Sequence, residues 1–137
     1  MEFPVRTSQR LEIIDITDDV SRAVKETRVT NGSVAIWTPH TTAAVTVNEN
    51  DPDLWKDILE LYVKIAPIED EYRHNRKYAG LSREQNAHAH ILSSLIKPGL
   101  TVPISNGVPT LGMWQRFFFV ELDGPRSRKI FVQITGQ

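Results

Sequence analysis

The sequence of 137 residues contains no cysteine, and this absence excludes disulfide bonds, thiolate metal sites and a cysteine nucleophile. Long hydrophobic runs are absent too, since residues 117–120 (FFFV) fall far short of the roughly 20 apolar residues that cross a bilayer. The first residues show no apolar stretch of the kind found in signal peptides. We therefore expect a soluble cytoplasmic protein that does not bind a membrane.

A surplus of charge of one sign is also missing. Lysine plus arginine number 16 and aspartate plus glutamate number 17, which gives a formal net charge of −1 at pH 7. A domain that binds nucleic acid through its overall charge needs a basic surface, so we expect no nucleic-acid partner. Any anion-binding site must be a local group of basic side chains.

Hydrophobic patterning indicates one α+β domain over residues 1–137, a length typical of a single domain. The patterns predict strands at residues 11–16, 33–38, 42–48, 101–104, 114–122 and 129–135, and helices at 17–28, 52–65 and 86–96. In the strand at 42–48, Ala43 and Val45 share one face, while Ala44 and the preceding His40 belong to the other. Turn signals between the carboxyl-terminal strands favour an antiparallel meander packed against about three helices.

Four histidines, His40, His74, His88 and His90, are the side chains best suited to metal binding or proton transfer. Three imidazoles with one open position make a catalytic zinc arrangement, and imidazole also binds copper, iron and nickel. Residues two positions apart on a helix point about 200° apart, so His88 and His90 cannot both face one metal ion. We predict that His40, His74 and His90 converge in one cleft, without His88. The alternative is that each histidine is structural or simply exposed.

Three carboxylates, Glu49, Asp51 and Asp53, stand at the junction between the strand at 42–48 and the following helix. They could form a magnesium or general-base site, since hard cations take oxygen ligands. They could equally serve the helix, with Asp51 as its cap and Asp53 complementing its dipole, which leaves Glu49 without a role. The sequence leaves both interpretations open.

Residues 123–129 (DGPRSRK) form a predicted turn with three cations, Arg126, Arg128 and Lys129. Guanidinium groups match phosphate oxygens, so a phosphate clamp is one interpretation, and a solvated hairpin tip is the other. Trp114 and Gln115 could stack on a heterocycle and hydrogen-bond to it. A tryptophan at the start of a strand, however, more often belongs to the core.

Several segments, in order along nearly the whole chain, are similar to the motifs of one known family. They are residues 38–43 (TPHTTA), 47–52 (VNENDP), 72–75 (YRHN), 86–90 (NAHAH), 102–107 (VPISNG), 111–115 (LGMWQ) and 123–126 (DGPR). The chain therefore resembles the YjbQ-type family, the secondary thiamine-phosphate synthase enzymes. Three positions depart from the family pattern: His88 replaces a frequent Asp, Arg76 a frequent acid, and Met113 the Thr of G-T-W-Q.

The resemblance implies an α+β sandwich that assembles as a homotrimer. It implies a transferase that joins a pyrimidine diphosphate to a thiazole phosphate and releases pyrophosphate, with a divalent metal ion (magnesium or zinc) and a small phosphorylated or anionic ligand. Taken with the side-chain chemistry above, it indicates three groups of site residues. The catalytic candidates are His40, His74, His90 and Glu49; the metal-ligand candidates are His40, His74, His90 and Asp51; the substrate-binding candidates are Thr41, Asn48, Asn86, Ser105, Trp114, Gln115, Arg126 and Arg128.

Two other functions are compatible with the same sequence. A metal-dependent hydrolase could use the three-histidine site, and a non-enzymatic trimeric module could bind a small anion in a cleft between subunits. Stoichiometric zinc or iron in the purified protein would favour the hydrolase. An absence of turnover with the two thiamine precursors would favour the binding module.

Overall fold

A computed structural model, which describes all 137 residues, shows eight strands and four α-helices. The strands are β1 (Glu2–Arg6), β2 (Glu12–Asp15), β3 (Gly32–Trp37), β4 (Ala43–Glu49), β5 (Gly99–Ser105), β6 (Val108–Pro109), β7 (Gln115–Glu121) and β8 (Ser127–Gly136). The helices are α1 (Thr17–Thr27), α2 (Pro52–Ile65), the single turn α3 (Arg73–Arg76) and α4 (Ala87–Ile96), and a 3₁₀ turn spans Ser82–Glu84. The predicted α+β class is confirmed. No helix combines the length and the apolar character that crossing a membrane requires.

The strands form two sheets in which every hydrogen-bonded pair is antiparallel. The larger sheet has the order β1-β8-β3-β5-β6 and the smaller sheet the order β2-β7-β4. Only β5 and β6 are neighbours both along the chain and within a sheet, so the predicted meander is wrong. Turn residues are local signals, and they do not specify which of two stacked sheets receives the next strand. The strand β1, which no pattern indicated, completes the edge of the larger sheet beside β8.

Two apolar layers hold these elements together. Between the sheets, Val34 of β3 and Val45 of β4 pack in one core with Val24 of α1. On the other side of the smaller sheet, Ala44 of β4 packs in a second cluster with Leu92 of α4. The alternation predicted for β4 is therefore confirmed, and the side chains on the parity of His40 face the layer that contains α4.

The start of α2 follows directly from its sequence. The Asp51 carboxylate accepts hydrogen bonds from the backbone N–H groups of Asp53 (2.9 Å) and Leu54 (3.1 Å), and Pro52 occupies the first helical turn. The indole N–H of Trp55 donates to the backbone carbonyl of Glu49 at 3.0 Å. These bonds fix the junction between β4 and α2, so the capping interpretation accounts for Asp51.

The outer face of the larger sheet carries exposed aromatic side chains. Trp37 of β3 and Phe131 of β8 are register partners there, and they are 53% and 37% exposed. With Met1 and Ala35 they line an open, mostly apolar cavity of about 630 Å³. A contiguous exposed apolar patch of this kind often marks a surface that contacts another protein.

His88 of α4 points into the interior and has no exposed surface. Its Nε2 lies 2.9 Å from the backbone carbonyl oxygen of Leu122, so Nε2 carries the proton and donates it, whereas Nδ1 is buried without a partner. Burial is the largest effect on the pKa of His88 and lowers it, and the hydrogen bond to Leu122 opposes this. His88 is a neutral core histidine, in contrast to the other three.

We expect the protein to lose stability on acidification, in part through His88. Because its pKa is lowered in the folded state, the unfolded chain, with a histidine pKa of about 6.5, binds a proton that the folded chain does not. The contribution of His88 is therefore complete above about pH 6.5 and is lost as pH falls below that value, by about 1.4 kcal/mol per pH unit for one proton.

The variant His88→Gln tests this expectation, because glutamine can still donate to Leu122 but does not titrate. Urea unfolding at a series of pH values below neutrality should show a smaller loss of unfolding free energy for the variant than for the parent protein. Parallel pH dependences in the two proteins would show that His88 has no part in acid sensitivity.

Candidate functional site

Two of the four histidines line a cavity between α4 and the segment that leads into β4, and a third, His74, lies beside one of them. His40 and His90 both line this cavity, which has a volume of about 510 Å³. The rings of His74 and His90 lie 4.9 Å apart between centroids, at an interplanar angle of 53°. The structure thus brings His40, His74 and His90 into one region and leaves His88 in the core.

The spacing of residues on α4 sets one wall of this cavity. His90, Ser93 and Ser94 all line it, because residues three and four positions apart share a helix face. The opposite wall contains His40 and the exposed Thr41, just before β4. Thr41, a predicted substrate-binding residue, therefore lies beside the histidines.

The tautomer of His40 is set by the backbone of β8. The N–H of Lys129 donates to His40 Nε2 at 3.1 Å, and a backbone N–H can only donate. Neutral His40 therefore carries its proton on Nδ1, and the lone pair of Nε2 is already used. In this arrangement His40 offers a proton donor rather than a metal ligand.

The orientation of His74 depends on its neighbour Asn75, which is buried. The Asn75 side-chain oxygen accepts a hydrogen bond from the backbone N–H of Ala87 at 3.1 Å, and it also lies 2.9 Å from His74 Nδ1. Because this oxygen can only accept, Nδ1 of His74 carries a proton. Asn75 thus both binds the first turn of α4 and orients the His74 ring.

Burial keeps two of these imidazoles neutral. It is the largest influence on the pKa of His90 and lowers it; the charge of His74 lowers it further, while Asp123 and Glu84 oppose the shift. Burial likewise lowers the pKa of His40, with the positive charge of Arg128 as the next contribution. Both side chains are uncharged at pH 7 and can therefore take part in proton transfer.

The buried carboxylate of Asp123 links the histidines to two arginines. Asn86, which stands one turn before His90 on α4, donates its side-chain amide to Asp123 Oδ2 at 2.8 Å. The Arg126 guanidinium donates to the same oxygen at 2.8 Å and to the Asp123 backbone carbonyl at 2.8 Å. On the other side, Arg10 Nε lies 3.3 Å from Asp123 Oδ1. Arg126 and Asn86, both predicted to bind substrate, are thus held in place by one carboxylate.

Arg128 does not have the predicted role in a phosphate clamp. Its side chain is only 4% exposed and forms a two-point ion pair with Glu121, which is fully buried. A further bond runs from Arg128 Nη2 to the hydroxyl of Thr42 at 2.8 Å. The turn is therefore not a solvated hairpin tip either, because it crosses between the two sheets and buries one of its cations. Arg128 is a structural residue in this chain.

The remaining predicted site residues lie at the opposite end of β4. Asn48 and Glu49 end this strand, and Glu49 pairs in register with Gln115 at the start of β7. Trp114, just before β7, is 68% exposed and so is not a core residue. Since β4 has seven residues, this end lies about 23 Å from the histidine end. The exposed Ser105 ends β5 and bonds only to Thr110, at 3.2 Å between hydroxyl oxygens.

A metal site of His40, His74, His90 and Asp51 within one chain is not formed. No group of three or more His, Cys, Asp or Glu side chains is arranged to hold a metal ion. Asp51 caps α2 at the far end of β4, and the Nε2 lone pair of His40 accepts a hydrogen bond. Glu49 lies at the same far end as Asp51, so one chain does not combine it with the histidines.

Several residues that organise the site are not among the predicted site residues. Asn75 and Asp123 belong to the segments YRHN and DGPR, in which only the histidine and the arginine are predicted site residues. Glu121 and Arg10 have no comparable signal, since each meets its partners only through contacts between distant parts of the chain. An acidic residue inside the apolar strand at 115–121 was the one available sign that Glu121 requires a buried cation.

Comparison with known proteins gives a consistent result. The whole chain, residues 1–137, matches the family described as UPF0047 protein YjbQ-like. A UPF0047 protein of Archaeoglobus fulgidus is 43% identical over 133 residues, which cover 97% of this chain and 98% of that protein. The UPF0047 protein YugU of Bacillus subtilis is 40% identical, with 96% of each chain covered.

Solved structures agree with the fold. An uncharacterised conserved protein of the YjbQ/UPF0047 family from Clostridium acetobutylicum superposes with a TM-score of 0.90 at 42% identity, covering 98% of this chain and 99% of that one. A YbjQ-like protein of unknown function from Sulfolobus solfataricus P2 gives a TM-score of 0.94 at 34% identity, covering 100% and 96% of the two chains.

The ion pair between Arg128 and Glu121 yields a direct prediction. Arg128→Met should lower the free energy of unfolding by about 3–5 kcal/mol, because it leaves the buried Glu121 carboxylate without its counter-charge. Adding Glu121→Gln should restore part of this loss, since a neutral amide no longer needs that charge. Urea unfolding of the two variants measures both effects.

The same variant separates a structural role from a ligand-binding one. A destabilised Arg128→Met protein that keeps the parent affinity for inorganic phosphate, measured well below its melting temperature, agrees with the structural role. Unchanged stability together with a loss of phosphate affinity would show that Arg128 binds the ligand and is not a structural residue.

Proposed function

Because this chain belongs to the YjbQ-like UPF0047 family, we propose that it is a cytoplasmic enzyme that acts on a phosphorylated small molecule, as a transferase of the thiamine-phosphate synthase type. The observation that carries the proposal is the pair of close imidazoles, His74 and His90, 4.9 Å apart at a polar cavity. Asn86, at the start of the helix that carries His90, and Arg126 both bind the Asp123 carboxylate. The assignment of the thiamine precursors as substrates rests on the sequence resemblance.

The side chains present fit the demands of such a transfer. The thiazole nitrogen attacks the methylene carbon of the pyrimidine diphosphate, a carbon–nitrogen bond forms, and the carbon–oxygen bond breaks with its electron pair leaving on pyrophosphate. The Arg126 guanidinium would stabilise the charge that develops on the leaving group. His40 Nδ1–H would donate a hydrogen bond to a substrate oxygen, and His90, beside His74, would deliver a proton to the departing pyrophosphate oxygen. The attacking thiazole nitrogen carries no proton, so none has to be removed.

No step is assigned to a metal ion. The candidate ligands do not assemble within one chain, as described above. The arginines beside Asp123 would supply positive charge to phosphate oxygens. The hydrolase alternative, which depends on a three-histidine metal site, receives less support from this geometry.

We also propose that the protein functions as a homotrimer. Two features support it: the exposed aromatic pair Trp37 and Phe131 on the larger sheet, and the separation of the predicted site residues to the two ends of β4. If a neighbouring copy places its Trp114 end against the histidine end of this chain, both groups of predicted residues contribute to one site. The exposed Trp114 would then stack on a heterocycle, as expected from the sequence.

Replacing His90 tests the proposed chemistry. We expect His90→Gln to reduce turnover of the two thiamine precursors by about 100-fold or more, because general acid–base groups contribute that much. Release of pyrophosphate is the measurement, and Arg22→Gln, which changes an exposed arginine of α1, is the control with full activity. Full activity of His90→Gln would show that His90 takes no part in the mechanism. An inactive parent protein would show that the thiamine precursors are not its substrates.

The trimer is tested by a charge on the exposed aromatic face. Trp37→Asp should convert an assembly of about three 15.6 kDa chains into single chains, because a carboxylate cannot be buried unpaired in an apolar contact. Light scattering after size-exclusion chromatography measures the mass. Leu61→Asp is the matched control, since Leu61 is 54% exposed on α2, away from that face. A parent protein of 15.6 kDa would contradict the trimer.

A further inference from the structure

Asp123 lines a second cavity, which is smaller than the histidine cavity and contains four charged side chains. Its volume is about 260 Å³, and none of its seven lining residues is hydrophobic. Arg10, Arg83 and Arg126 approach it from three separate parts of the chain, and Ser82 adds a hydroxyl group. No pattern in the sequence groups Arg10 and Arg83 with Arg126.

The charge of this cavity is opposite in sign to that of the protein. Three guanidinium groups and one carboxylate give a local charge of +2, whereas the whole chain has a formal net charge of −1. Asp123 is already shared between Arg10 and Arg126, one on each carboxylate oxygen. One carboxylate cannot neutralise two guanidinium groups, so positive charge is left over at the cavity.

Hydrogen-bond donors are left over as well. Each guanidinium has five N–H donors, and Arg126 uses its Nε and one Nη2 donor on Asp123. Arg10 donates from Nη2 to the Gln85 carbonyl at 3.1 Å and faces Asp123 Oδ1 with its Nε, so its remaining Nη N–H groups have no partner. Arg83 is exposed and forms no ion pair within the chain. The unused donors belong to side chains that surround one space.

We propose that Arg10, Arg83 and Arg126 bind the phosphate group of a small-molecule ligand in this cavity. Arginine forks match the oxygens of a phosphate group in pairs, and Arg10 and Arg126 are held in position by Asp123. A phosphate monoester carries close to two negative charges at pH 7, which balances the local charge. A carboxylate ligand would leave about half of that charge uncompensated.

The proposal deepens the function proposed above and, for its place in turnover, rests on it. Asp123 connects elements of the two cavities: it binds Arg126 at one and, through Asn86, the start of the helix that carries His90 at the other. A ligand anchored by its phosphate at the arginines would extend toward the histidines. The arginine cavity then binds the phosphate groups of the departing pyrophosphate, and the histidine cavity holds the part of the ligand whose carbon–oxygen bond breaks.

Binding of inorganic phosphate tests the cavity without any assumption about turnover. Isothermal titration at constant ionic strength should show phosphate binding by the parent protein and much weaker binding of acetate, a monoanionic carboxylate. Arg83→Gln should weaken phosphate binding about 10-fold or more, as expected for the loss of a charge-assisted contact. Arg22→Gln removes one exposed arginine elsewhere and should bind phosphate as the parent protein does.

Arg126→Lys gives an independent second variant, because lysine keeps the charge beside Asp123 but not the two-point geometry. It should fold and bind phosphate more weakly than the parent. Absence of phosphate binding, equal binding of acetate, or equal losses in Arg83→Gln and Arg22→Gln would each overturn the proposal. Phosphate binding without turnover of the thiamine precursors would instead leave the cavity in place and reject the proposed reaction.

Discussion

The two buried carboxylates at the end of β7 fix the place where both sheets and α4 meet. Glu121 holds Arg128 from β8 and, at 2.7 Å, the hydroxyl of Thr7. Asp123, two residues later, holds Arg126 on the crossing between the sheets. Buried charges of this kind must be paired, so the chain on either side has little freedom. The positions of the proposed catalytic and phosphate-binding groups depend on these pairs.

This arrangement gives related arginines different roles. Arg128 and Arg126 are two residues apart, yet the first has all its neighbours inside the protein and the second is about one third exposed. Arg128 belongs to β8, whereas Arg126 precedes that strand. The alternation of a strand therefore does not place both side chains on one face. One cation stabilises the fold, and the other remains available beside a polar cavity. A charge-rich turn therefore combines structure and ligand binding in neighbouring residues.

Much of the secondary structure follows from local sequence. The strand and helix patterns located six of the eight strands and three of the four α-helices to within two residues, because alternation and helical spacing report which faces are buried. The capping of α2 by Asp51 was likewise readable from the residues alone. The short strand β1 lacked a strong alternation and depends on pairing with β8, a contact between the two ends of the chain. The order of the strands in the sheets could not be predicted from local patterns either, because a turn does not specify with which strand the following strand pairs.

For the candidate site, the sequence by itself determined which histidine is separate: helix geometry sets His88 and His90 on different faces whatever the surroundings. Motifs also indicated Arg126 and Asn86. Only the tertiary structure decided that Arg128 is buried against Glu121, that Arg10 and Arg83 approach Arg126, and that the Glu49 end of β4 lies far from the histidines. The physical reason is that pairing of charges and separation along a strand depend on contacts between distant residues, which local patterns do not record.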